Sequence, residues 1–355
     1  MKIMKKNLYI VIGVAAALVI VGILFFTRYK PIPELQGYGI YVANEDGSSI
    51  SVIDGTTLSV ISTIYIEKSN PHNVNLDPLG RYIYATNHEE TEHGHEMGGE
   101  GFLRVIDANT RKLVKSVDLG EKAAHVVSTR DGLLVYVSLE GSDHIVEIGT
   151  GDFSIKRDID VGEMPHGFVL SSKDDFLFSP NMMSNNITFV NLETGETETF
   201  EVSYEDNVCE KPTAMGITSD DKYAFVTCSD SFDVYKIDVS NLQVIGRVAF
   251  AKNTSPGPIQ SPVNTTGEYL YIPDMRNGVV HKIDIKTFEE LVGIKTGSGA
   301  HGIAYSPDGK HAFVTNTWDN SLSIIDTISD TVIKTISVGK SPNGVAVSGG
   351  KNQGW

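Results

Sequence analysis

Six turn signals recur along this chain: Asp77-Pro78-Leu79-Gly80, Thr129-Arg130-Asp131-Gly132, Ser172-Lys173-Asp174-Asp175, Ser219-Asp220-Asp221-Lys222, Asn264-Thr265-Thr266-Gly267 and Ser306-Pro307-Asp308-Gly309. Their starts lie 52, 43, 47, 45 and 42 residues apart. A repeat of about 40–50 residues, each unit holding four short strands, is the sequence pattern of propeller blades. After each turn comes an aromatic-rich strand that ends in a polar residue, as in Phe225-Val226-Thr227-Cys228. A strand ending in Asp follows, as in Ile324-Ile325-Asp326. Alternating apolar and polar positions in short runs, with no long helical period after Gly37, make this an all-β chain.

The two ends close the ring. Residues 38–66 supply the second, third and fourth strands of a blade without its first, and Ser341–Ser348 supply a first strand with nothing after it. Inner strands begin near His72, His125, His166, Thr213, Ile259, His301 and Asn343, which predicts a seven-bladed β-propeller of four-stranded blades over residues 38–350. Closure by N- and C-terminal strands removes the free sheet edges that promote aggregation.

The propeller is expected to follow one transmembrane helix. Leu8–Phe26 is an uncharged apolar run close to the roughly 20 residues that span a bilayer as helix. Lys2, Lys5 and Lys6 precede it, and Phe25-Phe26-Thr27-Arg28 at its end lacks the small residues of a cleavage site. Residues 1–30 therefore read as a cytoplasmic stub and a cell-membrane anchor, 31–37 as a linker, and 351–355 as a tail. The amino terminus is placed in the cytoplasm and the propeller outside it. A cleaved signal and the reverse orientation are the competing readings.

Charge narrows the partners. Five of the 29 basic residues and none of the 45 acidic ones lie in the first thirty positions, leaving 24 against 45, or about −21, on the rest. A nucleic-acid ligand is disfavoured, because its affinity comes chiefly from Lys and Arg displacing counterions. Cys209 and Cys228 form no CxxC pattern and are expected either to pair, as in an exported domain, or to remain free thiols.

Tyr41-Val42-Ala43-Asn44, Tyr84-Ala85-Thr86-Asn87 and Phe313-Val314-Thr315-Asn316, with the strand openings Met164-Pro165-His166-Gly167 and Ser341-Pro342-Asn343-Gly344, resemble the YVTN-repeat family of YncE-like and surface-layer-type propellers. The resemblance covers nearly all of residues 37–350 and implies the fold. It implies no reaction, since the family is grouped by repeat and propellers place their function on rims and channels. Histidine-lined channels also invite comparison with nitrous oxide reductase, but no copper-bearing second domain follows here and Thr213, Ile259 and Asn343 interrupt the ring.

Strand direction gathers the chemistry on one rim. The inner-strand histidines His72, His125, His166 and His301 share it with the insert His88-Glu89-Glu90-Thr91-Glu92-His93-Gly94-His95-Glu96-Met97-Gly98-Gly99-Glu100 and with both cysteines. Imidazoles from separate blades, joined by His88, His93, His95 and Met97, suit copper or zinc. Two bland alternatives stand beside this: repeat histidines that hydrogen-bond backbone at blade junctions, and an insert that is a solvated Gly/Glu loop. No P-loop, Gly-x-Ser-x-Gly or HExxH pattern is present. The expected function is a binding scaffold that offers its histidine rim to a protein partner or small ligand. A copper- or zinc-binding redox or metal-handling role is the alternative.

Overall fold

The computed structural model describes residues 32–67, 69–88 and 100–349. The anchor segment 8–26, the insert residues His93, His95 and Met97, and the tail 351–355 lie outside them. Among the described residues no helix is long and apolar enough to cross a membrane.

Residues Leu35–Trp355 form one unit, in which seven sheets follow one another around a ring. The closing blade pairs Pro342–Val347 with Gly39–Asn44, then Ser49–Asp54 and Ser59–Tyr65, so the two ends of the ring meet in one sheet as expected. The first full blade runs Asn70–Leu76, Tyr82–His88, Gly101–Asp107 and Leu113–Asp118, each antiparallel to the last.

The fifth blade departs from the pattern. Its sheet has three regular strands, Tyr269–Asp274, Val279–Asp284 and Glu289–Lys295, and the expected inner strand near Ile259 makes only isolated bridges at Pro258 and Val263. Pro256, Pro258 and Pro262 remove three backbone donors from this segment, so a ladder cannot propagate through it.

The repeated tetrapeptide has a mechanical explanation. Its aromatic ring is buried in all seven blades: Tyr41, Tyr84, Tyr136, Phe178, Phe225, Tyr271 and Phe313. Each such ring contributes on the order of 1.5–3 kcal/mol by burial between sheets. Its hydroxyl position repairs a defect. Inner strands shift register where they enter the channel, between Pro71 and Asn73, Ala123 and Val126, Pro212 and Ala214, and Ala300 and Ile303. A bulge leaves a backbone N–H without a ladder partner. The N–H of Asn73 donates to Thr86 Oγ1 (3.0 Å), that of His125 to Ser138 Oγ (3.0 Å) and that of Gly302 to Thr315 Oγ1 (2.7 Å). Each hydroxyl then donates to a carbonyl of the next blade: Ala124 (2.6 Å), His166 (2.8 Å) and Asn343 (2.7 Å). One small side chain thus closes a bulge and ties two blades.

Where the third strand of a blade ends in Asp, that Asp is a turn residue. Asp54, Asp107, Asp284 and Asp326 each accept two backbone N–H groups from the residues two and three positions on. This is the side-chain turn that Asp favours, and it accounts for the recurrent acids without chemistry.

Candidate metal centre

The bulges put His72, His125, Thr213 and His301 at the same place in their blades, where the strand is bent and the side chain is turned toward the axis. The rings converge. His125 and His166 have centroids 4.5 Å apart, and His72 lies 5.8, 5.5 and 6.4 Å from His125, His166 and His301. One nitrogen from each of His72, His125 and His166 falls within 4.8 Å of the other two. All four rings are buried, with 8, 1, 6 and 7% exposure for His72, His125, His166 and His301.

Ser138 sets the closest pair. Its hydroxyl accepts from the His125 N–H and donates to the His166 carbonyl, so one group fixes the spacing of two histidine-bearing strands.

The tautomers follow from the partners. His72 Nδ1 lies 3.1 Å from Glu45 Oε1, and a carboxylate only accepts, so Nδ1 carries the proton. Asn343 Nδ2 donates to the other oxygen, Glu45 Oε2, at 2.8 Å. His166 Nδ1 lies 3.0 Å from the Thr213 carbonyl and must likewise donate. In both rings Nε2 is left as the free end. Among the described residues no hydrogen-bond partner reaches His72 Nε2, either nitrogen of His125, or Nδ1 of His301 and His88. An unmet buried polar atom costs about 1–3 kcal/mol, and five of them at one mouth need an explanation.

Electrostatics separate the rings. Burial resists charge on His72, but the charge and hydrogen bond of Glu45 outweigh it and raise the pKa. Burial also opposes the charge on Glu45, yet His72 and Asn343 hold its carboxyl well below the usual range. Desolvation pushes His166 down to about 4 and His301 to about 3, and takes His125 well below its ordinary value, with neighbouring imidazoles adding to each shift. His88 falls to about 4 for the same reasons. Of the four, His72, His125 and His166 bring nitrogens close enough to form a donor set for a borderline cation, and the Glu45–His72 contact is the outer-shell arrangement that orients a metal-binding imidazole.

Of the residues singled out in the sequence, His72, His125, His166 and His301 meet at the channel mouth. His88 follows as the last residue of the strand paired with Asn70, close enough for its charge to couple to His72 and Glu45. His93, His95 and Met97 lie outside the described residues. Among the described residues, backbone bonding by a channel histidine ring is seen at His166, whose Nδ1 meets the Thr213 carbonyl. The sequence reading missed Glu45 and Glu140. Each stands directly after the repeat tetrapeptide of its blade, as His88 does, and that register position was the available signal. Glu140 pairs with Lys122 at 3.3 Å, and the charges of His166, Lys122 and His72 offset its burial and lower its pKa.

Cys209 and Cys228 are joined, with sulfurs 1.97 Å apart and both residues buried. Cys209 follows an extra hairpin, Ser203–Tyr204 with Asn207–Val208, between the third and fourth blades. On the same rim Met182 is buried and Met183 exposed.

A family model described as YNCE-like beta-propeller matches residues 212–349. The uncharacterized protein YncE of Salmonella typhi is 23% identical over 283 residues, covering 76% of this chain and 75% of its own length. Hydrazine synthase of Kuenenia stuttgartiensis superposes with a TM-score of 0.68 at 19% identity, covering 84% of this chain and 98% of that one. The periplasmic gluconolactonase PpgL of Pseudomonas aeruginosa gives 0.69 at 18%, covering 88% and 99%. At these identities the solved structures speak for the fold alone. The closed ring of seven sheets makes this chain a seven-bladed β-propeller, and the family match over residues 212–349 and the YVTN-type tetrapeptides make it similar to YncE-like propellers.

Proposed function

We propose that this propeller is an extracytoplasmic metal-binding protein, with a copper or zinc ion held at the channel mouth by His72, His125 and His166. The observation that carries this is the set of three buried imidazoles with nitrogens within 4.8 Å of one another. Nitrogens around such an ion sit about 2.0–2.1 Å from it and hence about 3.4 Å apart, which small ring rotations reach. Imidazole donors suit copper and zinc alike, so a redox or a metal-handling role is consistent with them. The Cys209–Cys228 disulfide and the apolar run 8–26 support a location on the oxidising side of a membrane, anchored by that run. Metal analysis of the full chain purified from native membranes tests the reading. About one equivalent of copper or zinc is expected. Less than about a tenth of an equivalent, unchanged after titration with either ion, removes it.

A second reading, the rim as a docking surface for a protein partner, draws on Met183, Val208 and Trp318. These stand 57, 53 and 43% exposed in rim-side loops. Crosslinking in native membranes followed by purification checks it. Recovery of the propeller without any crosslinked species counts against that role.

A further inference from the structure

The three donors come from three consecutive blades, so they occupy one side of the mouth. Thr213, Ile259, His301 and Asn343 line the other. His301 does not join the group of nitrogens within 4.8 Å, although its ring is only 6.4 Å from that of His72. Its Nδ1 is buried and has no partner among the described residues.

Among the described residues, His88 keeps an unpartnered Nδ1 but does not join the group within 4.8 Å, and three other polar groups near the cluster are committed elsewhere. Glu45 is held by His72 and Asn343, Glu140 by Lys122, and the Thr213 hydroxyl donates to the Lys211 carbonyl at 3.0 Å. None of these groups is poised to supply a fourth ligand without breaking a bond it already makes. No fourth donor among the described residues joins the three, so a four-coordinate ion would take its last ligand from outside that group, the open arrangement of catalytic rather than structural sites.

Charge selects the class of that ligand. A dication on three neutral imidazoles, beside the anionic Glu45 and Glu140 and the cationic Lys122, leaves the site with about one positive charge. The rings are at most 8% exposed, so the approach admits only something small.

We infer that the three-histidine centre is open, with a fourth position that faces His301 across the channel mouth and takes a small monovalent anion hydrogen-bonded by that imidazole. This rests on the metal-binding reading above. The ligand class is hydroxide or a small inorganic anion of like charge, bound at the ion on one side and at His301 on the other. His301 is thereby a ligand-positioning residue and not a metal ligand.

The test uses the full chain in detergent with His93→Ser and His95→Ser, so that cobalt bound by the insert does not contribute. The protein is loaded with cobalt(II), whose visible bands report coordination, and titrated with azide. One cobalt per chain and a saturable change of the bands with azide are expected. His301→Gln should keep the cobalt and its azide-free spectrum while weakening azide about tenfold or more, the loss of one charge-assisted hydrogen bond. Bands unmoved by azide overturn the proposal and mean a closed site. So does loss of cobalt, or altered azide-free bands, in His301→Gln, which would make His301 the fourth ligand. An azide affinity unchanged in that variant overturns the role of His301. Failure of the starting protein to bind cobalt is a different result, because it sinks the metal-binding reading itself.

Discussion

Glu45 Oε1 stands 3.1 Å from His72 Nδ1 although 27 residues and a blade boundary separate them. Glu45 opens the short turn Glu45–Gly47 of the closing blade, and His72 sits on the inner strand of the next. The contact fixes which imidazole nitrogen faces the other rings. Asn343, from the last strand of the chain, braces the same carboxylate. Ring closure and site assembly are therefore one event.

Glu45→Gln should weaken copper or zinc binding by about 10–100-fold, the usual cost of losing an outer-shell partner of a metal-binding histidine. The amide keeps the shape and removes the charge that supports His72. Competition against a chelator of known affinity measures it, with the urea midpoint as a check on the fold. An affinity equal to the parent's would show that Glu45 serves only the blade junction.

Ser138→Ala leaves the His125 N–H without its acceptor in a buried bulge. The expected loss is about 1–3 kcal/mol of unfolding free energy, read from urea denaturation. Thr227→Ala removes the equivalent hydroxyl from a blade without a channel histidine, where it donates to the Ile259 carbonyl at 3.0 Å. It should cost similar stability and leave metal affinity intact, while Ser138→Ala lowers both.

Removing the disulfide by Cys209→Ser with Cys228→Ser should destabilise the propeller by roughly 3 kcal/mol, given the 19-residue separation of the two cysteines. The fluorescence-detected urea midpoint measures this. A midpoint within error of the parent would mean that the bond constrains only the hairpin before Cys209.

Stability should fall with rising pH through His281. Burial disfavours its charged form, but hydrogen bonds to Asp274 and Glu290 outweigh that and raise its pKa, with the ring stacked on Phe250 at 4.0 Å. A raised folded-state pKa contributes stability that is fully present below the unfolded value of about 6.5 and disappears as pH climbs past the folded one. His281→Gln should therefore flatten the decline of the urea midpoint as pH rises above about 6.5. An unchanged slope would assign the decline to other groups.

The sequence by itself determined the ring. Six turn signals spaced 42 to 52 residues apart, an inner strand at the C-terminus and three orphan strands at the N-terminus leave little but a closed propeller of seven blades. Local pattern suffices there because each blade is a meander of neighbouring strands. It also placed His72, His125, His166 and His301 on one rim, since strand polarity follows from strand order.

Only the tertiary structure decided which of them meet. His72 and His166 lie two blades apart in sequence order yet 5.5 Å apart as rings, His72 at a bulge of its inner strand and His166 beside the isolated bridge of Pro165 to Asn181. Glu45 joins them from a loop that looks like any other turn. The irregular inner segment of the fifth blade also escaped the repeat, through prolines that interrupt its ladder without altering its spacing. A repeat period fixes neighbours along the chain. Contacts across the channel depend on bend, register and ring closure, which arise only when all seven blades are in place.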